Sequence, residues 1–292
     1  MPVLSCMFDK DTRMRYKPAM NTTLLFPLSG LLTLFSAYLV WRQIGNPNNA
    51  SETPYAPWVV HSQSLAIIIS IIGITFLHPI QAQYIHFNLI EAAATATLLV
   101  QLMYLFGVIR HGVQGLGLFL LPAMAVPLIL APFLPIDTTT QPILTSSILE
   151  TTHLLISMIA YAMLTMAAFH AVMLLLLDQA LKRKHMHPII QAMPPLTTLE
   201  AMMMSMVRWS VWLILLSILT GLVWQWVDFS NMAIFNHKVL LACFSFAMLF
   251  WLMHKQRQGV WHAQRTSQWL LTAYALMLLA YFGVHLIKAW VA

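Results

Sequence analysis

The sequence has few charged residues and few cysteines for a chain of its length. Only 8% of its 292 residues are Asp, Glu, Lys or Arg, whereas an ordinary globular domain has about 25%. Because 60% of the residues are apolar, a soluble enzyme, a disordered chain and a collagen-like chain are excluded. Two cysteines are too few for a disulfide framework. The class that remains is the helical protein that crosses a membrane several times.

Common catalytic and nucleotide-binding motifs are absent as well. There is no Walker A sequence, no Gly-x-Gly-x-x-Gly after a strand, no His-Glu-x-x-His and no Gly-x-Ser-x-Gly. Without a Cys-x-x-Cys-His motif, covalent heme attachment of the c type is excluded. The basic residues behind the net charge of +6 lie in short loops beside apolar runs, which indicates membrane orientation and no nucleic-acid partner. We therefore expect no enzyme.

Continuous apolar runs predict an all-α integral membrane protein with about eight transmembrane helices in one bundle. The runs are about 20 residues long and do not alternate as barrel strands do. Prolines in the fourth run predict a kinked or broken helix, and the fifth run is longer than a bilayer needs. Residues 1–292 are expected to form one membrane domain, with a disordered tail over 1–20. The predicted helices lie near 22–41, 58–77, 88–109, 113–134, 148–180, 207–227, 238–253 and 267–290.

Lysine and arginine are distributed unevenly between the loops. Basic residues follow the first, third, fifth and seventh helices, whereas loops 78–87 and 135–147 contain no Lys or Arg. The positive-inside rule then places the basic loops in the cytoplasm of a bacterium, with the chain spanning the inner membrane many times. Four basic residues within the first 19 positions oppose this orientation. Either initiation at Met20, where a clean apolar run begins, or a dominant effect of the later basic loops on orientation would resolve the conflict.

This orientation sorts the twelve histidines between the two faces of the membrane. Those in the loops are interpreted as ordinary solvated side chains. The inner set is His61, His111, His170, His185, His187, His254 and His262, and the outer set is His78, His86, His153, His237 and His285.

Two outer histidines form a candidate metal site. His153 and His237 lie at the outer ends of separate predicted helices, so both can bind one metal centre from opposite faces. Heme iron suits imidazole ligands between apolar and aromatic walls. Glu150 precedes His153 by three residues and is a candidate acceptor for the second ring N–H. Alternatively, each histidine is an interfacial residue with a wet tip.

The third predicted helix carries polar residues on one face. Asn88, Glu91 and Thr95 follow helical spacing, and Glu91 lies within an apolar span beside His86. An acid in such a span faces the bundle interior or a cavity. Glu91 therefore marks either a polar pathway or a structural hydrogen bond between helices.

The sixth predicted helix has tryptophans at its end and methionines at its start. Trp224 and Trp226 fit an interfacial belt, and the alternative is stacking on a flat aromatic ligand. The methionines of the segment 202–206 are interpreted as gap fillers in the core, and copper binding through their thioethers is the alternative.

Four segments in the second half of the chain resemble one family. Residues 153–162 are similar to the histidine-then-tyrosine helix of the cytochrome c assembly family of the CcsA/YpjD type. Residues 193–200 resemble its Pro-Pro-Leu segment, 235–238 its His-Lys helix start, and 279–283 its closing helix. The resemblance covers residues 148–290 and agrees with the eight-span layout.

The resemblance implies a protein that handles heme during cytochrome c maturation. It implies non-covalent heme b bound by His153 and His237, with Trp224 and Trp226 nearby. His285, which the predicted topology also places on the outer side, could replace His237 as a ligand if the eighth helix lies closer to the fifth. Implied partners are membrane lipid, other maturation proteins and apocytochrome. The long tryptophan-rich outer loop of full family members is reduced here to 224–228. The chain therefore resembles a shortened relative.

Two other functions remain open. The chain could be a transporter or accessory protein for a cation or small solute, with Asn88, Glu91 and the broken fourth helix in its pathway. It could also be a membrane regulator that holds a heme-biosynthesis enzyme through Lys182–His187.

Overall fold

Helices dominate the part of the chain that the computed structural model describes. That part comprises residues 20–44, 57–77, 84–85, 89–112, 114–133, 143–144, 148–184, 195–229, 237–259 and 262–279. The helices are α1 Met20–Ile44, α2 Pro57–Leu77, α3 Leu89–His111, α4 Gly117–Leu130, α5 Ile148–Arg183, α6 Leu196–Phe229, α7 His237–Arg257 and α8 Ala263–Leu278. Two short strands, β1 Tyr84–Ile85 and β2 Ile143–Leu144, pair in antiparallel orientation.

The apolar helices confirm the prediction of an all-α membrane bundle. Among the described residues, seven segments are long and apolar enough to cross a membrane, by length and composition. The eighth helix, α8, is described over 16 residues. Large apolar side chains cover the outside, and Phe76, Phe106 and Trp212 are each more than 60% exposed. Such a surface suits a lipid environment and not water.

Helix α5 occupies the middle of the bundle and contacts α3, α6 and α8. Over its 36 residues, it extends about 54 Å, as the length of the fifth apolar run predicts. The hydrogen bond from Gln256 Nε2 to Glu200 Oε1, 2.6 Å long, joins the last turn of α7 to the first turns of α6. The two helices are therefore antiparallel. The core between α5, α6, α7 and α8 is apolar.

Strands β1 and β2 mark one end of the bundle, which we call the strand end. Each strand directly precedes a helix, β1 before α3 and β2 before α5. Both helices therefore begin at the strand end. Helix α6 finishes there, because Ser217 in its second half contacts His153 in the second turn of α5. Helix α7, which is antiparallel to α6, therefore begins there.

The interface between α1, α2 and α3 is polar inside. Ser29 Oγ lies 2.7 Å from Ser70 Oγ, and Gln101 Nε2 donates to Thr33 Oγ1 over 3.2 Å. Gln63 is fully buried, and neither atom of its amide has a hydrogen-bond partner among the described residues. Hydrogen bonds between buried polar residues are a common means of joining membrane helices.

The fourth apolar run is not broken at its first two prolines. Pro122 and Pro127 lie inside the continuous helix α4, although proline lacks an N–H and its ring crowds the preceding turn. Close packing against α1 supports α4: a Cβ added to Gly30 would lie 2.7 Å from Ile129 Cγ1. The backbone becomes 3₁₀ at Ala131–Phe133, which contains the third proline. Of the predicted kink or break, a break at Pro122 or Pro127 is therefore excluded, and the α-helix ends before the third proline. Neighbouring helices are one means by which membrane proteins tolerate proline inside a helix.

Helix α6 begins eleven residues before the position predicted from hydropathy. Its first residue is Leu196, and the N–H groups of Thr198 and Leu199 donate to Pro195 O. A proline fits just before a helix because its absent N–H would have no partner there. Glu200 does not end the helix, because its carboxylate accepts the bond from Gln256.

Candidate functional site

His153 lies in the second turn of α5, near the strand end, and its ring faces α6. Its Nδ1 lies 2.9 Å from Ser217 O and 3.4 Å from Thr220 Oγ1. A carbonyl oxygen can only accept a hydrogen bond, so Nδ1 carries the proton and donates to Ser217 O. The other nitrogen, Nε2, therefore holds a lone pair. A neutral imidazole held in this tautomer is able to bind a metal through Nε2.

The ring of His153 fits against α6 because residue 221 is glycine. A Cβ at Gly221 would lie 2.9 Å from His153 Cε1 and 3.1 Å from Nδ1, which is closer than carbon and nitrogen atoms pack. The indole of Trp224 lies one turn further along α6. Its ring is stacked near that of His153, with centroids 6.3 Å apart and planes inclined by 16°. The imidazole is thus held by a hydrogen bond, a close helix contact and an aromatic neighbour.

A second pair of contacts fixes α5 against α6 at this level. Ser157 Oγ donates to His153 O over 2.6 Å and lies 2.7 Å from Ser217 Oγ. These bonds join the backbone of the turn that carries His153 to the residue whose carbonyl receives its ring proton. These bonds fix α5 and α6 relative to each other. The direction of Nε2 is therefore set by the packing of the two helices as well as by the conformation of His153.

The structure gives the remaining predicted residues different surroundings. Glu91 is 4% exposed in the first turn of α3 at the strand end. Glu150 is half-buried one turn before His153, but the ring proton that it was expected to accept goes to Ser217 O. Trp226 is 63% exposed, so it faces the surroundings of the bundle as a residue of an interfacial belt does.

Four predicted positions lie wholly or partly outside the described residues. His86, Asn88 and His285 are outside them altogether. His237 is the first residue of α7, and its side chain is not described. Because α7 is antiparallel to α6, its first residue lies at the strand end, as His153 does. Joint metal binding by the two histidines stays a prediction.

Sequence reasoning missed the residues of α6 that hold His153. Ser217, Thr220 and Gly221 share one face of the helix with Trp224, at intervals of three or four residues. This stripe of small and polar residues, which leads to a tryptophan, is the signal in the sequence that could have identified the contact surface. The stripe belongs to α6, so only packing against α5 connects it with His153.

Sequence reasoning gave no role to one inner histidine. His170, which was sorted to the inner side within the fifth predicted helix, is 1% exposed inside α5. Among the described residues there is no group of three or more His, Cys, Asp or Glu side chains that would hold a metal ion. A metal site in the described part of the chain would therefore need either a ligand from the remaining residues or a ligand of another type, such as a thioether.

Comparisons with known proteins identify relatives of the chain. Residues 58–291 match the family described as Cytochrome C assembly protein. The inner membrane protein YpjD of Escherichia coli is 30% identical over 59% of this chain and 65% of its own length. Protein HemX of Brevibacillus brevis is 30% identical over 54% of this chain and 58% of its own length. An uncharacterized 28.8 kDa protein of Azospirillum brasilense is 30% identical over 46% of this chain and 50% of its own length.

The chain spans between half and two thirds of the length of these curated relatives. The family match, in contrast, covers most of the chain, including every described helix after α1. The resemblance noted in four segments of the sequence is thereby confirmed. The chain belongs to the cytochrome c assembly protein family of multi-helix membrane proteins.

Proposed function

We propose that the protein binds heme without covalent attachment and handles it during cytochrome c assembly, with His153 as one axial ligand. The observation that carries the proposal is the hydrogen bond from His153 Nδ1 to Ser217 O, 2.9 Å long. It assigns the proton to Nδ1 and leaves the Nε2 lone pair for iron. Family membership supports the same function.

The residues around His153 fit a heme ligand. The absence of a side chain at Gly221 leaves room for the imidazole, and Trp224 adds an aromatic surface beside it. Porphyrin faces are bound by apolar and aromatic walls of this kind. Bound heme b would supply an iron centre that the chain holds as cargo. We propose His237, at the start of α7, as the second axial ligand.

The residues of this chain have distinct tasks in such a site. Ser217 O keeps the ring proton on Nδ1, which raises the basicity of Nε2 and fixes the plane of the ring. Ser157 holds the α5 backbone at His153 to Ser217. Gly221 allows α6 to approach the imidazole. Heme binding would therefore depend on α6 even though neither proposed ligand lies on it.

We place the site on the outer side of a bacterial inner membrane. The basic loops would then face the cytoplasm, as the positive-inside rule predicts, and the strand end would face outward. One relative is named as an inner membrane protein, which supports this location. At the outer face, apocytochrome and other maturation proteins are the partners that this function requires, in addition to membrane lipid.

Absorption spectra of the detergent-purified protein test the proposal. Two imidazole ligands give six-coordinate, low-spin heme. We expect His153→Ala and His237→Ala each to yield five-coordinate or heme-free protein, and the double variant to lose little more than the worse single variant. Matched controls are His254→Ala and His262→Ala, since both side chains are exposed at the opposite end of the bundle. Their spectra should equal that of the wild type.

Two results would contradict the heme proposal. Wild-type protein could contain no heme even when the growth medium is supplemented with it. Alternatively, His153→Ala and His237→Ala could both keep the low-spin spectrum of the wild type. Retention in the His237 variant alone would point to His285 or His86 as the second ligand and would reject the pair.

Transport of a cation or small solute is the second candidate function. Its support is the burial of Glu91 in the first turn of α3, since an acid within a membrane bundle commonly faces a pathway. Helix α4 is continuous through Pro122 and Pro127, so it offers this function no break at those two positions. Colourless protein with solute flux that Glu91→Gln abolishes would favour transport.

A further inference from the structure

A cleft lies at the end of the bundle opposite the strand end, between α3, α5 and α6. Its volume is about 400 Å³, and its walls include Tyr104, His111, Met166, His170, Met202 and Met206. His170 lies about 25 Å further along α5 than His153. The cleft is therefore separate from the candidate heme site.

His170 offers a free ring nitrogen in this cleft. The side chain is 1% exposed, and its Nδ1 lies 2.8 Å from Met166 O. Because that oxygen is an acceptor, Nδ1 donates and Nε2 keeps a lone pair. No described residue donates a hydrogen bond to Nε2, although His170 lines the cleft. The imidazole is thus fixed as a Lewis base and not as a hydrogen-bond donor.

Three methionine thioethers share the cleft with His170. Met166 precedes His170 by one turn of α5, and Met202 and Met206 are one turn apart on α6. The structure separates these two from Met203, which is fully buried in the core and accepts a weak hydrogen bond from Ser267 Oγ at 3.7 Å. The methionine-rich segment therefore presents one face to the core and another to the cleft.

The described walls of the cleft carry no Asp, Glu, Lys or Arg. A neutral set of ligands stabilises a monovalent cation at low polarity better than a divalent one, because less charge has to leave water. Thioether sulfur with imidazole nitrogen is a soft ligand set that selects Cu(I) over Mg²⁺ or Ca²⁺. Methionine side chains, with three rotatable bonds, are able to converge on one ion.

The cleft also meets two further requirements of a metal site. The bond from His170 Nδ1 to Met166 O orients the ligand ring. An entry path exists because the cleft reaches the end of α3, where His111 is exposed. The volume beyond that needed for one ion gives the flexible thioethers room to adjust.

We propose that His170 Nε2 and the thioethers of Met166, Met202 and Met206 form a Cu(I) site in this cleft. The site is independent of heme binding at His153. Met202 and Met206 also contact the core. Leucine is therefore the replacement used in the test, because it removes the sulfur and changes the side-chain volume little.

Competition for Cu(I) between the purified protein and the chromophoric chelator bicinchoninate tests the proposal. We expect the wild type to take one Cu(I) per chain under reducing conditions. His170→Asn should weaken binding by at least about tenfold, because the Asn amide is able to donate to Met166 O but lacks Nε2. Met202→Leu and Met206→Leu should each weaken binding, and their combination should reduce the sulfur scattering in the copper X-ray absorption spectrum to the contribution of Met166.

Matched variants separate ligand loss from misfolding. Met203→Leu changes the same sequence segment on its core face and should leave Cu(I) affinity unchanged. His153→Ala should do the same, so failure of the copper site and failure of the heme proposal are distinguishable. Far-ultraviolet circular dichroism and gel filtration verify that each variant folds.

Three results would overturn the copper site. The first is Cu(I) affinity that stays the same in His170→Asn and in the Met202/Met206 double leucine variant. The second is Zn²⁺ binding that is as tight as Cu(I) binding and that Cu(I) displaces from the same site. The third is loss of a heme band in His170→Asn with no change in copper binding, which would assign the cleft to a porphyrin.

Discussion

Replacing Gly221 by alanine isolates the fit between α5 and α6 at His153. The new Cβ would lie 2.9 Å from His153 Cε1 and 3.1 Å from Nδ1, so the imidazole has to move. The movement lengthens the bond from Nδ1 to Ser217 O and disturbs the stack with Trp224. Gly221→Ala is therefore expected to weaken heme binding by displacing the imidazole of His153, although His153 itself is unchanged.

The size of the effect on stability follows from opposing contributions. Alanine in place of a glycine inside a helix stabilises by about 1 kcal/mol. A lost hydrogen bond costs about 0.5–1.5 kcal/mol, and a lost aromatic contact costs about 0.5–1.5 kcal/mol. The net change is a destabilisation of about 0–2 kcal/mol. Gly107→Ala is the control: no atom lies within 4 Å of its added Cβ, so it should stabilise by up to about 1 kcal/mol.

A double-mutant cycle with His153→Ala gives the sharper measurement. The three atoms nearest the added Cβ all belong to the His153 imidazole, at 2.9, 3.1 and 3.5 Å, so without that ring Gly221→Ala should stabilise by about 1 kcal/mol. The coupling energy between the two positions should then lie between about 1 and 3 kcal/mol. Unfolding in sodium dodecyl sulfate, followed by far-ultraviolet circular dichroism, provides the free energies. Equal effects of Gly221→Ala in both backgrounds would refute the described contact.

Three further predictions concern other parts of the bundle. Gln63→Leu should leave the free energy of unfolding unchanged or raise it by about 1 kcal/mol, since the buried amide has no partner among the described residues; a clear loss of stability would show that the amide binds something else. A cysteine at position 183, in a cysteine-free background, should react with an impermeant thiol reagent only after the cells are opened, and labelling of intact cells would reverse the orientation. Gln256→Ala should destabilise by about 1–3 kcal/mol, because Gln256 donates to Glu200 and accepts from Thr266; unchanged unfolding in detergent would show that these bonds do not hold α6, α7 and α8 together.

The amino-acid sequence by itself determined the class of protein and the order of its helices. Long apolar runs are required by the thickness of a bilayer, so their number and spacing report membrane helices directly. The family also followed from the sequence, because four segments in one order are visible without a structure. Helix ends were less certain: Pro195, and not the fall in hydropathy, sets where α6 begins, and packing against α1 keeps α4 continuous.

The tertiary structure alone decided which atoms surround half-buried His153 and buried His170. Ser217 O lies 64 residues from His153 along the chain, and no periodic pattern connects positions so far apart. His170 received no role from the sequence, because its position in the fifth apolar run does not show which helix packs against it. Packing of α5 against α6 puts it beside Met202 and Met206, since residues that meet across two antiparallel helices depend on the register between them. Local sequence sets the helices, whereas that register sets the chemistry of the sites between them.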